Sequence, residues 1–262
     1  MPRARPAMLL ACLPPLAAGA CVGAGAGDFG TFLQQGGLAR QAAPIAGDRP
    51  GPVRTVVVGR SVLGRAILAR VVGAPAAPRR ILVVGCVHGN ERAGEAITRR
   101  LRSVTPPAGT VLWLVDEFNP DGCQANTRQN AHGVDLNRNS PWHWQPIEHR
   151  GGTYYSGTGP LSEPESRAIV RLIDGLRPAV SIWYHQHASL VDDSSGGSLV
   201  IERRYAHAVG LPLRDFGFFP GSITSWQDHT HTRDTAFVVE LPPGRLTASA
   251  IARHVGAVLA LA

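Results

Sequence analysis

Lysine is missing. All 26 basic residues of the 262-residue chain are arginine. That excludes every mechanism built on a lysine nucleophile or a Schiff base. Clustered charge is missing too. The formal net charge is +7, but it is scattered, with no basic run interleaved with aromatics, so no nucleic-acid partner is expected. Long apolar runs are also absent. The most apolar stretch, Met8 to Ala20, is too short for a transmembrane helix, and no later segment is long enough to span a bilayer. Cysteine is scarce, with Cys12 and Cys21 near the start and Cys86 and Cys123 further on.

The start of the chain has the three-part form of a secretory signal. Arg3 and Arg5 are followed by the apolar stretch and then by Ala18-Gly19-Ala20-Cys21, a small-residue cleavage site. Residues 1–27 are therefore expected to be a signal peptide, cleaved near 20–27, and 28–52 a linker or N-terminal arm. Residues 53–262 then form one catalytic domain, a length suited to a single core. Plain export to the periplasm or medium is the expectation, with a lipid anchor at Cys21 as the alternative. In an oxidising compartment Cys86 and Cys123 can pair or remain two buried thiols, and the sequence leaves both open.

Strands and helices alternate. Arg54–Val58 and Ala66–Val72 flank a hairpin turn, and Ile81–Val87 is an apolar strand followed by a helix over Arg92–Leu101. Thr110–Val115, Ala179–Tyr184 and Thr235–Leu241 read as further strands. Ser162-Glu163-Pro164-Glu165 reads as a capped start of a helix reaching Leu176, and Leu246–Leu261 as a closing helix. The pattern predicts an α/β fold, a mixed central sheet with helices on both faces. Between Asp116 and Gly159 lies a long stretch without periodicity, dense in polar and aromatic residues, which favours a functional loop.

Three strand ends carry metal-binding residue types. His88 and Glu91 follow the first, His185 the second, and Glu240 ends the third, after Ala236-Phe237-Val238-Val239. Two His and one Glu make a three-ligand zinc set with a position open for water. His185-Gln186-His187 offers two imidazoles, and His185 is favoured because it follows its strand directly. A carboxylate ending an apolar strand is costly to bury unless used, which makes Glu240 a candidate general base. In the long loop, Asn137-Arg138 offers a fork of donors for a carboxylate. Asp135 is a candidate acceptor for the second N–H of a metal-bound His. Asp192-Asp193 is either a solvated turn or a place for a substrate's free amine. Trp142 and Trp144 read as packing for the long loop.

The joint pattern His-x-x-Glu, Asn119-Pro120-Asp121-Gly122, Gly133-Val134-Asp135-Leu136-Asn137-Arg138-Asn139, Leu161-Ser162-Glu163-Pro164-Glu165 and Glu240 before Pro242-Pro243 resembles the zinc carboxypeptidase (funnelin) family. Within that family it is most similar to the bacterial murein peptide amidase A branch. The resemblance covers roughly Val53 to Gly244. It implies a zinc-carboxypeptidase-like fold and one zinc ion held by His88, Glu91 and His185. It implies Glu240 as general base, Asn137 and Arg138 as the clamp on a free terminal carboxylate, and Arg128 as the arginine that polarises the scissile carbonyl. The expected substrate is a peptide, and the favoured bond joins the γ-carboxyl of D-Glu to meso-diaminopimelate in murein. The alternatives are a general metallocarboxypeptidase acting on protein C-termini, a desuccinylase- or aspartoacylase-like deacylase that shares the zinc set, and a non-catalytic, zinc-dependent peptide-binding protein.

Overall fold

A computed structural model describes residues 53–262. The expected signal peptide and arm, 1–27 and 28–52, lie outside the described residues. In chain order the strands and helices are β1 (Arg54–Arg60), β2 (Ala66–Gly73), β3 (Arg79–Val84), α1 (Gly94–Leu101), β4 (Thr110–Val115), α2 (Pro120–Ala125), α3 (Pro164–Leu176), β5 (Val180–Gln186), β6 (Leu190–Asp192), α4 (Leu199–Val209), β7 (Leu213–Arg214), α5 (Ile223–Thr230), β8 (Thr235–Leu241) and α6 (Ala248–Ala260). A 3-10 turn, Leu136–Arg138, sits in the long loop before α3.

One eight-stranded mixed sheet runs in the order β1-β2-β4-β3-β5-β8-β6-β7. Strands β4, β3, β5 and β8 are mutually parallel, and β2 and β6 run against them on either side. Parallel strands buried on both faces read as continuous apolar runs, and Ile81–Val84, Val111–Leu112 and Ala236–Val239 do so. Alternation divides the core. Ile81, Val83, Ile182, Tyr184, Phe237 and Val239 pack with α1, α4 and α6. Leu82, Val84, Trp183 and Val238 pack with α3, α5 and the long loop. Each fully buried aliphatic side chain contributes about 1.5–3 kcal/mol. The expected α/β sandwich is the fold observed.

Several boundaries differ from expectation. The strand read as Ile81–Val87 ends at Val84, because its ladder partner β4 stops at Val115 and the chain then turns against α2. Ser162 is not the cap of α3; Glu163 holds that position without a side-chain cap, and Pro164 opens the helix. Glu165 makes no capping box, since its Oε1 accepts the Val62 N–H at 3.0 Å and its Oε2 the Asn130 amide at 3.2 Å. The Ser-Glu-Pro-Glu sequence thus ties both the hairpin and the long loop to α3. Asn119-Pro120-Asp121-Gly122 is a helix start rather than a simple turn, with Asn119 Oδ1 accepting the Gly122 N–H at 2.9 Å.

Two buried acids load the α4–α5 side. Glu202 is fully buried and neither of its oxygens has a hydrogen-bond partner among the described residues; Asp228 Oδ2 is likewise unpartnered. Burial pushes Glu202 up to about 7, helped by Asp193 and Asp192, and Asp228 up to about 8 against the Ala236 N–H. Both values lie above those of an unfolded chain, roughly 4, so the folded state holds protons that the unfolded state has lost. Stability is then greatest below about pH 4 for these groups and falls as pH rises through 7–8. The zinc-saturated protein is expected to melt roughly 5–10 °C lower at pH 9 than at pH 5. Asp228→Asn should flatten that slope in calorimetry; an unchanged slope would place the titrating groups elsewhere.

Candidate active site

The parallel strands β3, β5 and β8 are neighbours, and open α/β sheets place ligands beyond the carboxyl ends of such strands. After β3, the turn Gly85–Glu91 carries His88 and Glu91. Gly89 lets it pass α2, since a Cβ there would lie 1.9 Å from the Gly122 carbonyl carbon. His185 on β5 and Glu240 on β8 are register partners, so both project to the same face of the sheet.

The sequence set comes together. His88 Nδ1 lies 2.9 Å from Glu91 Oε2 and 3.1 Å from His185 Nδ1, and His185 Nδ1 lies 3.1 Å from the same Glu91 oxygen. All three side chains are buried. His88 Nε2 donates to Asp135 Oδ1 at 2.9 Å, which fixes the tautomer and leaves a lone pair on Nδ1. Three lone-pair donors therefore converge on one point, an arrangement that repels itself without a cation. Zinc bonds of ~2.0–2.1 Å in a tetrahedron set ligand atoms about 3.3 Å apart, close to the triangle observed. The donor set, two imidazoles and a carboxylate, fits zinc. His187, the other imidazole of the pair, is exposed at the rim of the cavity.

Asp135 is wholly buried and binds more than His88. Its Oδ2 accepts from Arg128 Nε at 3.0 Å and Nη2 at 2.8 Å, and its Oδ1 from the Asn137 N–H at 2.9 Å. Burial opposes its charge, but His88 and Arg128 outweigh that and hold its carboxyl far below the usual range. The same balance holds Glu91 low and raises His88 and Arg128. Arg128 Nη1 also donates to Glu91 Oε1 at 3.0 Å, which leaves an N–H on each terminal nitrogen.

Asn137 Oδ1 accepts the Ile223 N–H at 3.1 Å, so its NH₂ end is the part available to the cavity. The Arg138 guanidinium donates to the Asn137 carbonyl at 2.7 Å and lies 4.6 Å from the centre of the Phe219 ring and 5.6 Å from that of Tyr154. Gly221 packs against its backbone; φ is +73°, and a Cβ would lie 2.2 Å from the Arg138 carbonyl oxygen. A cavity of ≈ 520 Å³ is lined by His88, His185, Glu240, Arg128, Asn137 and Arg138 together.

Other expectations resolve more plainly. Cys86 is not one of the three converging ligands; its Sγ lies 2.7 Å from Cys123 Sγ, both buried as thiols. Trp142 stacks on His229 at 4.2 Å, and Trp144 donates to the Ser156 carbonyl. Neither Trp lines the cavity, so both pack the loop. Two contributors went unread in the sequence. Gln186 links the start of α1 to the turn after β8, accepting from Ala93 N–H and donating to the Pro242 and Gly244 carbonyls. Phe219 stacks on Arg138. The only signal for Gln186 was its place beside His185; Phe219 gave none.

An α/β sandwich with a buried two-His, one-Glu triangle at its parallel strand ends defines a zinc metallohydrolase. A zinc carboxypeptidase family model matches residues 108–209. Murein peptide amidase A of Escherichia coli strain K12 is 35% identical over 190 residues, covering 67% of this chain and 76% of that protein. The same-named protein of Vibrio campbellii is 31% identical over 222 residues, covering 78% and 85%. The crystal structure of a murein-tripeptide amidase from Escherichia coli O157 superposes with a TM-score of 0.66 at 29% identity, covering 80% of this chain and 92% of that one. The chain belongs to the zinc carboxypeptidase family, and zinc is its metal.

Proposed function

We propose that this protein is an exported zinc amidase that cleaves the bond between the γ-carboxyl of D-Glu and meso-diaminopimelate in murein peptides. One juxtaposition carries the reading: the candidate metal ligands, Glu240 and the Asn137–Arg138 donors line a single cavity. Likeness to the murein peptide amidases of two bacteria supports the substrate. The three-part form of residues 1–27 supports export, to the periplasm or medium, with lipidation at Cys21 as the alternative. No helix of the described residues is long and apolar enough to cross a membrane.

His88, Glu91 and His185 would hold zinc, which supplies Lewis acidity for activating water and polarising a carbonyl. The protein's own groups do the rest. Arg138 and the Asn137 amide grip the free carboxylate of the terminal residue and place its amide bond beside Glu240. Glu240 takes the proton of the attacking water and delivers it to the departing amine as the C–N bond breaks. The spare N–H groups of Arg128 face the oxyanion that forms. Asp135 holds His88 and Arg128 in place throughout.

The test is product mass spectrometry with and without a chelator. The mature protein is given L-Ala-γ-D-Glu-meso-diaminopimelate beside an ordinary peptide ending in Leu. Chelator-sensitive release of diaminopimelate is expected. Release of Leu alone would make the protein a general metallocarboxypeptidase. No release from either, with zinc present, would overturn the amidase reading and leave the deacylase and the zinc-dependent peptide-binding protein. Mature protein recovered from the cytoplasm would end the export reading.

A further inference from the structure

Beside the metal-binding turn lies a pair of thiols that no step above uses. Cys86 stands two residues before His88, and Cys123 belongs to α2. They are 37 positions apart, both buried, and their sulfurs lie 2.7 Å from each other. No other cysteine occurs between residues 53 and 262.

Three contacts hold the two segments together around this pair. The Cys86 carbonyl accepts the Phe118 N–H at 2.9 Å, just before α2. Gly89 abuts the α2 backbone, where a Cβ would lie 2.3 Å from the Cys123 nitrogen. Arg92, the residue after Glu91, donates from Nη1 to the Cys123 carbonyl at 3.1 Å. The turn that carries His88 and Glu91 is therefore already seated on α2, and the thiols meet at that seam.

Glu95 stands within reach of both sulfurs, which makes a second cluster of metal-ligand types. Two features turn this cluster away from a metal. Thiolates on one tetrahedral zinc, at ~2.3 Å each, stand about 3.8 Å apart, well beyond the separation here. The Glu95 carboxylate is occupied by Arg92 and Arg99. A disulfide fits better. Its sulfurs are about 2.05 Å apart, so closure asks for roughly 0.7 Å of approach. Nor does it orphan an acceptor. The Cys86 thiol donates to the His88 carbonyl at 3.2 Å, and that carbonyl also accepts the Glu91 N–H at 2.9 Å.

We infer that Cys86 and Cys123 form a disulfide under the oxidising conditions that export provides, and that this bond fixes the His88–Glu91 turn for zinc. The inference uses the export part of the reading above, since disulfides persist in oxidising compartments. The oxidant is itself a disulfide, of a small molecule or of an oxidoreductase. Both S–H bonds break and one S–S bond forms. Two protons and two electrons pass to the oxidant, which leaves as two thiols. The new bond closes a loop that contains His88, Glu91, α1 and β4.

In the experiment the full chain is produced with its own leader. Free thiols are blocked with iodoacetamide under denaturing conditions before peptide mapping. A cross-linked Cys86–Cys123 peptide that separates on reduction is expected, with Cys21 scored apart. Alkylated Cys86 and Cys123 in protein recovered from the periplasm or medium would overturn the inference. If the protein stays in the cytoplasm, the export reading has failed. The purified chain is then unfolded, refolded with zinc in oxidised and reduced glutathione so that burial does not block the oxidant, and mapped the same way. Cross-linking there upholds the pairing, and free thiols or mixed disulfides with glutathione overturn it. Reduction of the bond should speed zinc loss to a chelator about 10-fold and lower the melting temperature by roughly 5–15 °C. Cys123→Ser should lose zinc at the fast rate with or without reductant. Wild-type zinc loss that ignores the reductant would overturn the role of the bond in holding the turn.

Discussion

Glu240→Gln is expected to lower kcat by about 10²–10⁴-fold, the usual contribution of a positioned base, while zinc content and KM change little. Glu240 closes the apolar strand β8 directly opposite His185 and lines the cavity. The one hydrogen bond to its carboxylate among the described residues is a long one, from the Ala188 N–H at 3.4 Å. It is not spent on an ion pair, unlike Glu91 and Asp135, so it is free to take and return a proton. Glutamine keeps the shape and the strand and removes only the basicity. The readouts are steady-state kinetics and bound zinc on the same preparation. A variant retaining more than a tenth of wild-type kcat would mean that another group, such as the exposed His187, moves the proton.

The strongest elements of fold and site were legible because they obey local rules. Buried parallel strands leave continuous apolar runs, and a carboxylate or imidazole at the end of such a run stands out against them. That is why His185 and Glu240 stand out in the sequence, which does not show their pairing across β5 and β8. The long loop showed its importance by composition, and Asp135 could be named because a metal-bound His needs an acceptor.

What stayed hidden depends on tertiary contact. The strand β6 has three residues and β7 has two, too few for any alternation to show. The helix α5 buries Thr224, Ser225, Gln227 and Asp228 beside Ile223 and Trp226, so polar residues occupy its inner face and no apolar stripe appears. The helix α2 is only six residues long and opens with Asn-Pro, which reads as a turn. The stacking of Tyr154 and Phe219 on Arg138 joins residues 16 and 81 positions away, and no short motif announces it. The site was readable as a list of groups; the aromatic rings that hold Arg138 were not.

Asp135→Ala should do more damage than its distance from the substrate suggests. This one side chain accepts from His88, twice from Arg128 and from the Asn137 N–H. Removing it frees the His88 ring to change tautomer, so zinc affinity is expected to fall about 10–100-fold. It also leaves the partly buried Arg128 guanidinium with Glu91 as its only carboxylate partner among the described residues. Breaking one side of a buried charge pair typically costs about 3–5 kcal/mol, and Arg128 is 22% exposed on its side chain, so the lower end applies. In a domain of this size that is a melting temperature lower by roughly 6–12 °C. Asp135→Asn separates the two effects. Its amide oxygen can still accept one hydrogen bond, and the pair charge is gone. Zinc titration and thermal unfolding of both variants decide the matter. Should Asp135→Ala hold zinc as tightly as wild type, the tautomer of His88 is set by something else, and Asp135 serves only to anchor Arg128.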